Sequence, residues 1–103
     1  MPYDETLIVQ YLHKAHDTPL LSERERQLVG LAVTLTRGCQ VCTRNRIEKA
    51  RAAGIDDEVL NALVNVVSAV NAGVTAATAR EGFRMADALA QEPCNDLCAP
   101  GRV

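Results

Sequence analysis

Ser22-Glu23-Arg24-Glu25-Arg26-Gln27-Leu28-Val29-Gly30-Leu31-Ala32-Val33-Thr34-Leu35-Thr36-Arg37-Gly38-Cys39-Gln40-Val41-Cys42 is the stretch that decides the fold. Ser22 with Glu25 three positions later is a capping box, so a helix opens at Ser22. Leu28, Leu31, Ala32 and Leu35 then recur at helical spacing, with Val29 and Val33 beside them. Apolar residues almost all round predict a buried helix. Gly38 is a natural stop, because glycine adopts the left-handed conformation that ends helices. A second helix follows at once, from Cys39 to Ala53, and Gly54 ends it.

On the N-terminal side, Pro2, Asp4 and Glu5 suit a helix start, with Leu7 and Tyr11 on one face. Asp17-Thr18-Pro19 breaks that helix, since proline disfavours the α conformation in the residue before it. On the C-terminal side, Asp56 caps a further helix carrying Val59, Leu63, Val66, Val67 and Val70 at helical rather than strand period. Asn71-Ala72-Gly73 marks a boundary. A fifth helix is predicted from about Val74 to Gln91, with Ala79, Phe83, Ala86 and Ala90 on one stripe. From Glu92, Pro93, Pro100 and Gly101 make a non-helical tail bearing Cys94 and Cys98. The expectation is one all-α domain over residues 1–91, a bundle of about five helices, followed by the tail 92–103.

Composition agrees. Of 103 residues 48% are apolar, yet only Tyr3, Tyr11 and Phe83 are aromatic. A core built of Ala, Leu and Val favours closely packed helices. Lys and Arg number 11 against 13 Asp and Glu, a net charge of −2. That balance excludes charge-driven disorder and argues against a nucleic-acid partner. It conceals a local basic excess in Arg37, Arg44, Arg46, Lys49 and Arg51, for which a solvated helix face is the simplest reading. His13 and His16 read as surface residues near the end of the first helix, able to supply an imidazole if that helix crosses the cysteine pair. No uninterrupted run of about 20 apolar residues occurs, and the acidic start lacks an apolar signal core. No membrane partner and a cytoplasmic location are therefore expected. Four cysteines in such a compartment point to redox chemistry or metal binding rather than structural disulfides.

Cys39-Gln40-Val41-Cys42 is a CxxC at a predicted helix start. Spacing of three puts both sulfurs on one side of the helix. The helix N-terminus, with about half a positive charge, favours thiolate over thiol, and Arg44 and Arg46 add to it. Such surroundings lower a thiol pKa from about 8.5 to about 3.5–7.5. Cys94-Asn95-Asp96-Leu97-Cys98 is a second pair. It reads as a relay dithiol, as an incidental pair, or as half of a Cys₄ zinc site formed by Cys39, Cys42, Cys94 and Cys98. With the dithiol as the working group no other cofactor is expected, and zinc is the alternative.

The run Arg26–Val33, then Gly38-Cys39-x-x-Cys42, then Ala52-Ala53-Gly54-Ile55-Asp56, resembles the AhpD-like alkylhydroperoxidase group of the carboxymuconolactone decarboxylase superfamily. The resemblance covers roughly residues 20–90. It implies an all-α fold that assembles as a homo-oligomer, trimeric or hexameric. It also implies a dithiol that reduces small peroxides or exchanges disulfides with an electron-donor protein. In that pattern Cys42 attacks peroxide, and Cys39 resolves the resulting sulfenic acid into a disulfide.

Two positions depart from the pattern. The family places a histidine four residues after the second cysteine, where this chain has Arg46, and a glutamate twelve residues before the first, where it has Gln27. Gln cannot titrate and Arg stays protonated, so the acid–base relay is missing while both sulfurs remain. Relays of this kind contribute about 10²–10⁴-fold. Disulfide exchange or weak peroxide reduction is therefore expected, with Cys42, Cys39, Arg46 and Gln27 as the site. The alternatives are a non-catalytic helical module binding zinc or a partner through the four cysteines and, with no acid–base pair to support it, decarboxylase-like chemistry.

Overall fold

A computed structural model describes residues 2–90. It is all-α, with α1 at Thr6–His16, α2 at Glu23–Arg37, α3 at Gln40–Ala52 and α4 at Asp57–Ala90. The tail 92–103, with Cys94 and Cys98, lies outside the described residues. The chain divides into two units, one ending at Val67 and the other starting at Ser68.

The first unit is shaped by its caps. Asp4 Oδ1 accepts from the Thr6 amide (3.0 Å) and hydroxyl (2.6 Å) just ahead of α1. The capping box at Ser22 is complete: the Glu25 amide donates to Ser22 Oγ at 3.1 Å, and the Ser22 amide donates to Glu25 Oε1 at 2.8 Å. Gly38, at φ 73°, ends α2, and the Cys39 amide reaches back to the Thr34 carbonyl. Gly54, at φ 85°, lets the Ile55 amide bond the Ala50 carbonyl at 3.0 Å. This second left-handed glycine swings Ile55 inward, and the Asp56 carbonyl then accepts the Leu60 amide as α4 begins.

These reversals bring α2, α3 and the start of α4 onto one core. Leu31, Ala50, Ile55 and Leu60 are buried there, flanked by Leu28, Leu35, Ile47, Val59 and Leu63. Ala50 is fully buried, and its single methyl lets α3 approach α2 closely. Arg51 clamps the α3–α4 corner from outside, with Nε 2.8 Å from Asp57 Oδ1 and Nη2 2.9 Å from Asp57 Oδ2.

Two sequence expectations need correcting. Helix α2 is amphipathic rather than buried all round: only Leu31 is buried, and Val29 and Val33 are exposed. Among the described residues there are four helices, not five, because α4 runs unbroken through Asn71-Ala72-Gly73. A mid-helix glycine costs only about 1 kcal/mol relative to alanine, and Thr75 Oγ1 donates to the Asn71 carbonyl at 2.9 Å across the expected break. No proline enforces a stop there. Helix α4 also contains an 18-residue window of mean hydropathy 1.5, long and apolar enough to cross a membrane by length and composition only, a test that core helices of water-soluble proteins pass as well. Residues 59–79 carry no charge, although Asn, Ser, Thr and Gly interrupt the apolar run.

In the second unit, every described residue from Ser68 to Ala90 is helical and exposed. Glu81 and Arg84 form a bidentate surface pair there.

Candidate functional site

Cys39 is the N-cap residue of α3, in an extended conformation at φ −86° and ψ 105°. It stands there because Gly38 has just reversed the chain. Its Sγ accepts the Cys42 amide at 3.2 Å, taking the place an N-cap serine hydroxyl usually fills. Cys42 lies one turn on, with its Cα 5.3 Å from that of Cys39, and the two are joined as a disulfide. Cys39 is half-buried and Cys42 exposed. A cleft of about 600 Å³ opens beside Cys39, walled by Leu35, Thr43, Arg44 and Ile47.

Arg46 and Gln27 meet on a different side of the α2–α3 pair. Both are half-buried, and both line a small cavity of about 110 Å³ with Leu12, His13, His16 and Lys49. Gln27 Oε1 is buried there without a hydrogen-bond partner. Arg46 Nη1 lies 3.4 Å from His16 Nε2. Thus the structure brings Arg46 and Gln27 together, one helical turn beyond Cys42, but puts neither sulfur in their cavity. Of the two histidines only His13 is a surface residue. His16 is half-buried at the end of α1, against Arg46.

The basic cluster also separates. Arg51 is occupied by Asp57, and the Asp57 hydrogen bond raises the already high Arg51 pKa and lowers the carboxyl's. Arg44 is exposed and donates to its neighbour Asn45 at 3.3 Å.

The His16–Arg46 contact spans 30 residues of sequence, and no local pattern announces it. A signal for it was nevertheless present in Gly30. A glycine inside a helical pattern costs about 1 kcal/mol relative to alanine, which makes it a position to inspect for packing. A Cβ built on Gly30 would stand 2.5 Å from Arg46 Nη1 and 2.6 Å from its Cζ. The Arg46 guanidinium occupies the space that a side chain at this position would take.

No group of three or more metal-ligating side chains occurs among the described residues, and half of the Cys₄ alternative lies outside them.

An all-α scaffold whose glycine-stopped helix delivers a CxxC to the next helix start defines a helical dithiol protein. The model of the carboxymuconolactone decarboxylase family matches residues 6–88, which includes all of that apparatus. The chain belongs to this family. No curated protein and no solved structure matches it significantly.

Proposed function

We propose that the chain is a thiol–disulfide exchange protein that works through Cys39 and Cys42 and reduces peroxides only weakly. The observation that carries this reading is the position of Cys39 Sγ as the cap of α3, with Cys42 exposed beside it. An incoming thiolate attacks the exposed Cys42 Sγ, and the Cys39–Cys42 bond breaks. The electron pair leaves on Cys39 as thiolate, which the Cys42 amide and the helix N-terminus stabilise. A second thiolate then attacks the incoming sulfur of the mixed disulfide. That releases the donor as its own disulfide and leaves the protein as a dithiol, oxidised in turn by a substrate disulfide.

With a peroxide, the Cys42 thiolate takes one oxygen and the O–O bond breaks. The departing alkoxide needs a proton, which neither Arg46 nor Gln27 can relay. The Cys39 thiolate then displaces hydroxide from the sulfenic acid, which leaves as water and closes the disulfide. The missing relay slows this route by about 10²–10⁴-fold, whereas exchange does not depend on it.

The second part of the reading is that the chain acts as a homo-oligomer, a trimer or hexamer, in the cytoplasm, where thiols are kept reducible. Exposure of Val70, Val74, Phe83, Met85 and Leu89 along one helix favours it.

The test compares turnover of a small aromatic disulfide and of an alkyl hydroperoxide. Cys42→Ser should lose both activities, while Cys39→Ser should trap a mixed disulfide on Cys42. Full activity in Cys42→Ser, or faster peroxide than disulfide turnover, would sink the reading. Near-stoichiometric zinc in the freshly reduced protein, lost on mutating Cys94 or Cys98, would favour the metal-binding alternative.

A further inference from the structure

We propose that the space between α1 and α2 is a binding site for an amphipathic carboxylate, a hydrocarbon chain ending in a single anionic head. This does not rest on the dithiol reading, because neither Cys39 nor Cys42 lines the space.

A cavity of about 440 Å³ lies there, within the size range of small-molecule sites. Ile8 and Leu12 of α1 face Val29 and Val33 of α2 across it. All four are at least half exposed, at 59%, 50%, 55% and 54%, so this wall is wet until something covers it. Covering it would release water from apolar surface, which favours a hydrocarbon occupant.

One end of the cavity is cationic. Arg46 and His16 line both this cavity and the 110 Å³ annex, where Lys49 and His13 join them. No carboxylate lines either space. The guanidinium of Arg46 has His16 as its hydrogen-bonding neighbour and no acidic partner among the described residues. His16 Nδ1 is 3.8 Å from Asp17 Oδ1, but that carboxylate is 72% exposed and lies outside both cavities. Arg26, on the main cavity, donates through Nη1 to the Thr18 and Leu21 carbonyls, while its Nε is buried without a partner. Two half-buried guanidiniums that line an apolar trough and have no counter-charge among the described residues call for an anion with an apolar tail. Arginine offers the fork geometry that carboxylates accept. The annex has room for such a head, and the main cavity for its chain.

The geometry also says which residue sets the site. The Arg46 guanidinium packs directly on Gly30, in space that any larger side chain there would have to share.

Calorimetric titration of the full oxidised chain with decanoate, decanol and decyltrimethylammonium tests this. Decanoate should bind saturably, decanol about tenfold or more weaker, and the cation not at all. Arg46→Gln should weaken decanoate by at least about tenfold, the usual result of losing a hydrogen bond to a charged group, with far-UV circular dichroism unchanged. Should Arg46→Gln fail to fold, His16→Gln serves, since it removes a neighbour of the head while leaving Arg46 in place; it should weaken decanoate several-fold. Equal binding of decanoate and decanol would overturn the proposal, as would decanoate affinity that falls as the protein is concentrated, which would show a second copy occupying the trough. A gain of more than about tenfold on deleting residues 91–103 would assign the trough to the chain's own tail. Disulfide turnover is read separately, so failure of either idea leaves the other standing.

Discussion

Helices α2 and α3 with the first turns of α4, and the stretch from Ser68 to Ala90, draw on the same aliphatic residues but meet different fates. In the former, Leu31, Ala50, Ile55 and Leu60 are at most 6% exposed. In the latter, Val70, Val74, Phe83, Met85 and Leu89 are between 52% and 73% exposed. The difference lies in the turns rather than in hydrophobicity. Gly38 and Gly54 adopt left-handed conformations that fold one helix back on the next, so each apolar stripe meets another. Between Asp57 and Ala90 the chain never reverses, and an apolar stripe without a reversal has nothing of its own unit to meet.

Deleting a contact on the packed side should therefore have the largest effect. Leu31→Ala removes the one large side chain that is fully buried among the described residues and should cost about 2–5 kcal/mol. That is comparable to much of the stability of a small domain, so urea unfolding should show a partly unfolded protein or a midpoint shifted far toward zero. A loss below about 1 kcal/mol would mean that the four-residue core does not organise the unit.

The same contrast explains what the sequence made legible. Helix boundaries at Ser22, Gly38, Cys39 and Gly54 could be read because each is set by a local device: a hydroxyl, a left-handed glycine, a cap. The CxxC could be read for the same reason, since both sulfurs depend on one turn of one helix. Asn71-Ala72-Gly73 misled because its residues only weaken a helix, and the surrounding Ala and Val outweigh them. The outward-facing Val29 and Val33 were not legible either, for periodicity shows that residues share a face but not whether anything covers it. The His16–Arg46 contact joins elements distant in sequence, and only Gly30 hinted at it.

A smaller effect is expected at the corner where the packed region gives way to α4. The Arg51 hydrogen bond holds the Asp57 carboxyl below its ordinary pKa. A carboxyl lowered on folding stabilises the fold above its unfolded pKa, and that contribution disappears as the pH falls through the folded value. Stability should thus decline as the pH falls through and below the ordinary carboxylate range, and Asp57→Asn should flatten part of that decline while lowering Tm slightly at neutral pH. Both groups are well exposed, at 58% and 59%, so solvent screening keeps the effect small. An acid limb unchanged in Asp57→Asn would show that the clamp does not contribute.

The smallest effect on folding should come from the other side of the comparison. Phe83 is the sole aromatic side chain of the Ser68–Ala90 stretch and is 73% exposed. Surface substitutions usually stay within about 0.5 kcal/mol, so Phe83→Ser should leave the unfolding of the dilute chain unchanged. If this stretch is where copies of the chain meet, as proposed, the substitution acts on association instead. An exposed aromatic that becomes central to an interface can be worth about 2 kcal/mol or more. Sedimentation velocity over a range of concentrations should then show Phe83→Ser dissociating where the parent chain remains assembled. Equal dissociation of both would remove Phe83 from the interface. A loss of stability in the dilute monomer would go further, because it would mean that Phe83 is covered within its own chain and that the two regions do not differ in the way their exposure says.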